Sequence, residues 1–449
     1  MDKAREAALK ILYNVYSKGA YSNIALNKYF QSADLNTKDR AFATEIVYGV
    51  IKWQLTLDYI IERFSNIKLK RISPWILNIL RMGVYQLIYT DRVPVSAACN
   101  ESVNLAKRYG HKTSSGYVNA VLRNIARNQD SIEYPNPNKD YIFHLSIKYS
   151  HPKWLVKYWC DLYGTSFTEE MLSFNNSIPE LTIRVNTLKT SRNELASKLQ
   201  QEGLAVSNGR YMGDALILNG TVSIADLEAY KKGFFVVQDE SSMLAVKVLD
   251  PKPGEVIADL CSAPGGKTTY IAQLMGDTGE VIARDIYQHK VKLVNDVASL
   301  LGLKSIHSKV FDSVNIDEDL INKADRVIVD APCSGLGIIR RKAEIKWTRK
   351  LEDIKALNEL QFKILNNAAV YVKPGGVLVY STCTIFEDEN QGIVEKFLDA
   401  QPDFIVDDLT ALLPPTLNGA ITKQGYVQLF PHIHKIDGFF IVRFKKLQK

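Results

Sequence analysis

Three kinds of hydrophobic pattern follow one another along the chain. Up to about residue 130 the apolar positions recur at helical spacing. Ala8, Ile11, Leu12, Val15 and Tyr16 fall at i, i+3, i+4, i+7 and i+8 before Gly19, and Ala43, Ile46, Val47, Val50 and Ile51 repeat the pattern. Ser73-Pro74 reads as a cap followed by a first-turn proline, opening a helix with Leu77, Leu80, Val84, Leu87 and Ile88 on one side. An all-α bundle over residues 1–132 is the expectation. Tyr134-Pro135-Asn136-Pro137-Asn138 then breaks either regular structure and marks a linker.

Between residues 140 and 232 the pattern is mixed. Helical spacing runs through 141–163, a strand is expected at 181–186, Ser191-Arg192-Asn193-Glu194 is a capping box, and Leu216-Ile217-Leu218 is another strand. This is the order of a small α+β domain. From 233 to 449 short apolar runs end at Leu260, Asp285, Phe311, Asp330 and Ser381, separated by helical stretches such as 351–372. That alternation predicts βαβ units and an α/β, doubly wound parallel sheet. Runs at 427–430 and 439–443 are expected to close it with an antiparallel hairpin.

Composition narrows the function classes. With 449 residues, 46% hydrophobic and 23% charged, the chain is globular and long enough for several domains. No apolar run reaches 18 residues, and Met1-Asp2-Lys3-Ala4-Arg5-Glu6 enters a charged helix rather than a signal sequence, so a cytoplasmic protein without a membrane partner is expected. The five cysteines lack CxxC spacing and the seven histidines form no ligand pattern, so neither a disulfide framework nor a metal is expected. The net charge of +7 is uneven: residues 1–130 carry 19 Lys and Arg against 10 Asp and Glu. Such a basic module attracts a phosphate backbone.

The chemistry gathers at three turns that each follow a short apolar run. The first is Asp259-Leu260-Cys261-Ser262-Ala263-Pro264-Gly265-Gly266-Lys267, whose paired glycines and following helix suit a nucleotide-type ligand. It is neither GxxxxGK[ST] nor GxGxxG. Asp285, at the end of the next strand, is placed for ribose hydroxyls, and Asp312, at the end of the third, for an adenine amine. The ligand is then an adenosine cofactor, either S-adenosylmethionine or a nicotinamide dinucleotide. The other two turns, Asp330-Ala331-Pro332-Cys333-Ser334-Gly335 and Tyr380-Ser381-Thr382-Cys383-Thr384, put two thiols at strand ends. A thiolate is nucleophilic enough at neutral pH to add to an electron-poor ring such as cytosine at carbon 6. Arg184 and Arg340-Arg341-Lys342 are candidates to meet an RNA backbone.

Asp39-Arg40-Ala41-Phe42 with Val47-Tyr48-Gly49-Val50, Val93-Pro94-Val95 with Asn100-Glu101-Ser102-Val103, and Tyr117-Val118-Asn119-Ala120-Val121-Leu122-Arg123 resemble the RNA-binding bundle of the antitermination factor NusB. The three turns together resemble the signature of the RNA cytosine-5 methyltransferases of the NOL1/NOP2/Sun family. With the NusB-like module in front, the resemblance extends nearly end to end to members acting on 16S ribosomal RNA.

It implies a class I methyltransferase domain holding S-adenosylmethionine through Cys261, Ser262, Ala263, Pro264, Gly265, Gly266, Lys267, Asp285, Asp312 and Asp330. It implies Cys383 as the nucleophile, Asp330 facing the cytosine, and Cys333 assisting product release. A cytosine inside a stacked helix is out of reach, so the target is expected in a loop or flipped out. A monomer is expected. The residues leave two alternatives open: a non-catalytic RNA-binding ribosome-assembly protein, and the same chemistry on another RNA.

Overall fold

The structure, a computed structural model, describes residues 2–220 and 223–448 and divides into two compact units. The first comprises residues up to Ser177 together with Lys342–Thr348. Its N-terminal part holds the helices Lys3–Lys18, Ser22–Ser32, Thr37–Phe64, Pro74–Tyr89, Val95–Tyr109 and Ser114–Arg127. The positions singled out by spacing form its interior, with Ala8, Ile11, Leu12, Ala43, Ile46, Val47, Val50 and Leu80 fully buried. Asp2 and Ser73 cap their helices as side-chain acceptors, and Pro74 occupies the first turn.

Three further helices, Tyr141–Lys148, Lys153–Tyr163 and Thr165–Asn175, belong to the same unit. So does the short segment Lys342–Thr348. There the Trp347 indole donates to Ile51 O at 2.7 Å, the Lys346 ammonium donates to Lys52 O at 2.8 Å, and the Ser22 hydroxyl donates to Glu344 at 2.6 Å.

The second unit holds two sheets. The smaller is fully antiparallel in the order β2-β3-β1-β4, made of β1 (Leu181–Val185), β2 (Ala205–Asn208), β3 (Ala215–Asn219) and β4 (Phe235–Val237). Ser191 opens the helix Arg192–Gln201 with the expected capping box.

The larger sheet uses β5 (Val256–Asp259), β6 (Glu280–Asp285), β7 (Ile306–Val310), β8 (Ala324–Asp330), β9 (Val372–Thr382), β10 (Phe404–Val406), β11 (Val427–Leu429) and β12 (Phe439–Lys446). Its order is β10-β12-β9-β8-β5-β6-β7, with β11 paired to β12. Strands β5 to β9 are mutually parallel, and each ends within one residue of its predicted end. β12 lies antiparallel against both β9 and β11, which is the closing hairpin the apolar runs predict. The short β2 and β10 lacked a signal, because their side chains are mostly exposed or half-buried and carry no sustained alternation, and β4 was not among the predicted strands.

Helices cover both faces of this sheet. Ile257, Val379 and Ile441 pack on one side with Leu244 and Ile271, whereas Ala258, Leu378, Tyr380 and Phe440 pack on the other with Ile364 and Phe397. Burial on both faces is why these strands read as unbroken apolar runs.

Candidate active site

Because β5, β6, β7, β8 and β9 run parallel, their carboxyl ends share one edge of the sheet, and every expected functional turn emerges there. The turn after β5 is fastened from several sides. The Ser262 N–H and hydroxyl both donate to Arg284 O at 2.9 Å, the Ala263 N–H donates to the Asp285 carboxylate at 3.3 Å, and the Ser313 hydroxyl donates to Leu260 O at 2.8 Å. Gly265 has φ +103°, and a Cβ there would stand 3.0 Å from the Val294 backbone, so the turn requires glycine. The helix Gly266–Leu274 starts directly after it.

Asp259 is buried beneath this turn and accepts from the Thr268 hydroxyl at 2.7 Å; burial pushes its carboxyl up to about 7. The Cys261 thiol is also driven up, by burial and by Asp259, Asp330 and Asp285 around it. Asp285 lies 3.6 Å from the Lys290 ammonium, and the Asp312 side chain accepts from Val314 N–H in its own turn. Arg284 turns to a separate buried ion pair with Asp317 at 3.0 Å.

Asp330 ends β8. One carboxylate oxygen accepts from the Lys267 ammonium at 2.7 Å and the other from the Ser381 hydroxyl at 2.9 Å. Lys267 donates also to Ser242 at 2.8 Å, so this lysine ties the nucleotide-type turn to the cysteine-bearing edge. The two cysteines meet. The Cys333 and Cys383 sulfurs are 3.3 Å apart, brought together by the parallel pairing of β8 with β9. The Gly337 N–H donates to Cys383 O at 3.0 Å, and the Gly438 N–H donates to Gly337 O at 2.9 Å. A Cβ on Gly337 would come within 2.1 Å of Gly438 O, so only glycine admits this approach. The Cys333 thiol is held well above its ordinary range by its contact with Cys383, by burial, and by the Glu389 and Asp330 charges.

Family models place this edge in context. Residues 246–445 match the family described as 16S rRNA methyltransferase RsmB/F, residues 2–127 match the NusB family, and residues 151–225 match the ferredoxin-like domain of RsmF/B-like methyltransferases. Over 445 residues the chain is 40% identical to the probable ribosomal RNA small subunit methyltransferase B of Bacillus subtilis, which covers 98% of both chains. The chain belongs to the RsmB/F family. Among solved structures it is similar to that of PH0851, with a TM-score of 0.83, 29% identity and 98% of each chain covered. It is similar also to NSun6 from Pyrococcus horikoshii with SFG, with a TM-score of 0.60 and 25% identity, covering 66% of this chain and 99% of that one.

Two arginines of this RsmB/F chain depart from the sequence expectation. Arg184 does not offer itself to RNA: it is fully buried, stacked 4.8 Å over the Tyr270 ring, and donates to Gln238, to Gly266 O at 2.6 Å and to Thr269 at 3.0 Å. It braces the start of the helix after Gly265, and burial lowers its guanidinium to about 10. Arg341 is consumed by ion pairs to Asp437 at 2.7 Å and Asp239 at 2.5 Å. Both substitutions of role have one cause. Spacing shows a cation near a functional turn but not the carboxylate or carbonyl that reaches it from a distant part of the chain.

Sequence reasoning also missed the residues under the cysteine turns. Glu389 accepts from the Ser334 N–H at 2.8 Å and from the Ser334 hydroxyl, and Gln361 donates to Glu389 and to Pro332 O, both at 2.9 Å. Asn390 accepts from Thr382 at 2.6 Å and donates to Thr384 O at 3.1 Å. A buried Glu-Asn pair just after the Cys383 turn was the available signal, since unpaired burial of such groups is costly.

In the helical unit, Ala41, Phe42, Val93 and Pro94, all quoted for the NusB likeness, line a depression of about 440 Å³ together with Arg5, Lys38 and Arg92. No helix among the described residues is long and apolar enough to cross a membrane, and no cluster among them suits a metal ion.

Proposed function

We propose that this chain transfers a methyl group from S-adenosylmethionine to carbon 5 of a cytosine in 16S ribosomal RNA through a covalent cysteine adduct. The observation that carries the reading is the 3.3 Å contact between Cys333 and Cys383 beside the Lys267–Asp330 pair. An enzyme that only bound the cofactor and methylated an exposed nucleophile would need neither thiol. The supporting likenesses are a Bacillus subtilis relative named a small subunit methyltransferase and a neighbouring structure holding SFG, an S-adenosylmethionine analogue.

The donor set fits such a cofactor. Asp285 and Asp312, on successive strand ends, offer the acceptors that a ribose diol and an adenine amine need, and the Gly265-Gly266 turn leaves the backbone open to close approach. The segment Cys261 to Lys267, with Asp285, Asp312 and Asp330, would hold it. When bound, it supplies an electrophilic methyl group on a sulfonium.

The chain's own side chains then divide the work. The Cys383 thiolate adds to carbon 6, forming a carbon–sulfur bond and making carbon 5 a nucleophile. Asp330, paired with Lys267, would face the cytosine at the ring nitrogen where charge develops. After transfer the proton on carbon 5 must leave as the Cys383 bond breaks. Cys333 is the base for that step, because its thiol is opposed chiefly by Cys383, and that opposition falls once Cys383 is a neutral thioether. The domains expected at 1–132 and 140–232 would supply RNA recognition, with the basic depression around Phe42 as the contact surface in the first.

The test is incubation of the full chain, and of Cys333→Ala and Cys383→Ala, with 16S RNA and methyl-labelled S-adenosylmethionine, followed by denaturing gels and nucleoside analysis. Wild type should yield labelled 5-methylcytosine, Cys383→Ala none, and Cys333→Ala a denaturation-resistant RNA adduct. An adduct with Cys383→Ala instead would reverse the two thiols. Absence of 5-methylcytosine from wild type on 16S RNA would end the reading, and transfer only to another RNA would redirect it.

A further inference from the structure

Neither cysteine turn explains by itself why one of two touching thiols attacks while the other waits. The answer lies in two consecutive buried residues beneath them. Glu389 and Asn390 are both fully buried; Glu389 bonds chiefly the Cys333 turn, with one bond from Thr384, and Asn390 bonds the Cys383 turn. Glu389 reaches the Cys333 side: its carboxylate accepts the backbone N–H and hydroxyl of Ser334, the residue next to Cys333, and Gln361 bridges it to Pro332 O on the other flank. Asn390 reaches the Cys383 side as a neutral amide, meeting Thr382 and Thr384 on either flank of that cysteine. The Ser334 and Thr384 hydroxyls join the two halves at 2.8 Å.

We propose that Glu389 is a positioning residue that assigns the thiols their roles: it clasps the Cys333 turn against the Cys383 turn and places a buried negative charge against the residue that follows Cys333, so that Cys383 is the thiol that reacts. This rests on the two-cysteine reading of the site. The donors to Glu389 are neutral, so its charge is solvated by the protein without being cancelled by an ion pair. Burial pushes its carboxyl up, and the bonds from Ser334, Gln361 and Thr384 draw it back.

The other charged or titratable groups facing Cys333 act with it or are already engaged. Asp330 adds a second negative charge, itself paired with Lys267. Tyr380, driven well up by burial, donates its hydroxyl to Glu389 O. Arg349 donates to the Ser334 and Cys333 carbonyls from the backbone side. A negative charge opposes thiolate formation in proportion to its nearness, and one unit of pH corresponds to a tenfold change in thiolate fraction.

The experiment uses the full chain without RNA or cofactor, so it stands apart from whether methylation is observed. Initial rates of alkylation by iodoacetamide are followed from pH 6 to 9.5, with Cys333 and Cys383 read separately by peptide mass spectrometry. Each event is displacement of iodide by a thiolate. In wild type Cys383 should be modified at least about tenfold faster than Cys333 near pH 7. Glu389→Gln keeps the shape and the acceptor for Ser334 but removes the charge, and should move the Cys333 profile to lower pH by about one unit and narrow the preference about tenfold.

Glu389→Asp keeps the charge but shortens the clasp, so it should retain the preference while kcat on RNA falls more than KM changes. Faster modification of Cys333 than Cys383 in wild type would overturn the proposal without any variant. So would a folded Glu389→Gln protein whose two profiles match wild type, since a purely structural residue would leave them unmoved.

Discussion

The turns that end β8 and β9 share one plan, an apolar run, three residues, a cysteine and a hydroxyl residue, and are unlike in surroundings. Each follows an apolar run buried on both faces, each carries a cysteine two or three residues beyond a hydrogen-bonded polar group, and Asp330 and Ser381 stand side by side in register. What differs comes from elsewhere in the chain. The Cys333 turn is held by a carboxylate, an amide and a guanidinium from residues 389, 361 and 349, whereas the Cys383 turn is held by the neutral Asn390, by the backbone of Gly337 and by one bond from Thr384 to Glu389. Equivalent strand ends therefore become chemically distinct through the residues packed beneath them.

The comparison is broken most severely by removing the proposed nucleophile. Cys383→Ala should lower 5-methylcytosine formation by at least about 10⁴, or about 5.5 kcal/mol of barrier, measured as label incorporated into 16S RNA. Cys333→Ala should leave attack intact but slow turnover about 10³-fold, with protein–RNA adduct accumulating on denaturing gels in place of product. Equal loss in both variants with no adduct in either would mean that the two turns share one role.

Lys267→Met tests the pair that flanks both turns. It leaves Asp330 without its ammonium and should reduce kcat about 100-fold, read from single-turnover methyl transfer.

A buried carboxylate under the β5 turn provides a control with no thiol partner in its mechanism. Asp259 has its carboxyl raised to about 7 by burial, above the value of about 4 in an unfolded chain. The folded state thus binds the extra proton between those values, and the stability associated with it is full below about pH 4 and lost as pH rises to about 7. Asp259→Asn removes that loss while keeping an acceptor for Thr268. The variant should gain about 2 kcal/mol on wild type between pH 5 and pH 8, measured by denaturant unfolding at both. A constant difference would show that Asp259 does not titrate in this range.

The smallest effect sharpens the contrast itself. Asn390→Asp puts a carboxylate beneath the Cys383 turn as well, and should slow Cys383 alkylation and methyl transfer about tenfold, roughly 1.4 kcal/mol, with little change in KM.

Much of this molecule was legible from local pattern. Apolar runs are a one-dimensional signal, so the carboxyl ends of β5 to β9 were predicted to within one residue, and helical spacing named the interior of the N-terminal bundle. Strand ends carry the loops, so the three functional turns could be assigned to one edge before any coordinate was known. The sequence also supplied the residue types that the proposed chemistry at that edge requires. It did not reveal which charges are consumed internally. Arg184 and Arg341 looked like free cations because their partners, Gly266 O and Thr269 in one case and Asp239 and Asp437 in the other, lie some 80 to 100 residues away in the chain.

Nor did it reveal the 3.3 Å sulfur contact, which depends on the register of β8 with β9, or the opposite settings of Glu389 and Asn390 below it. Backbone geometry is dictated by neighbours in sequence, and electrostatics by neighbours in space. The first can be read from the order of residues, and the second exists only once the chain has closed on itself.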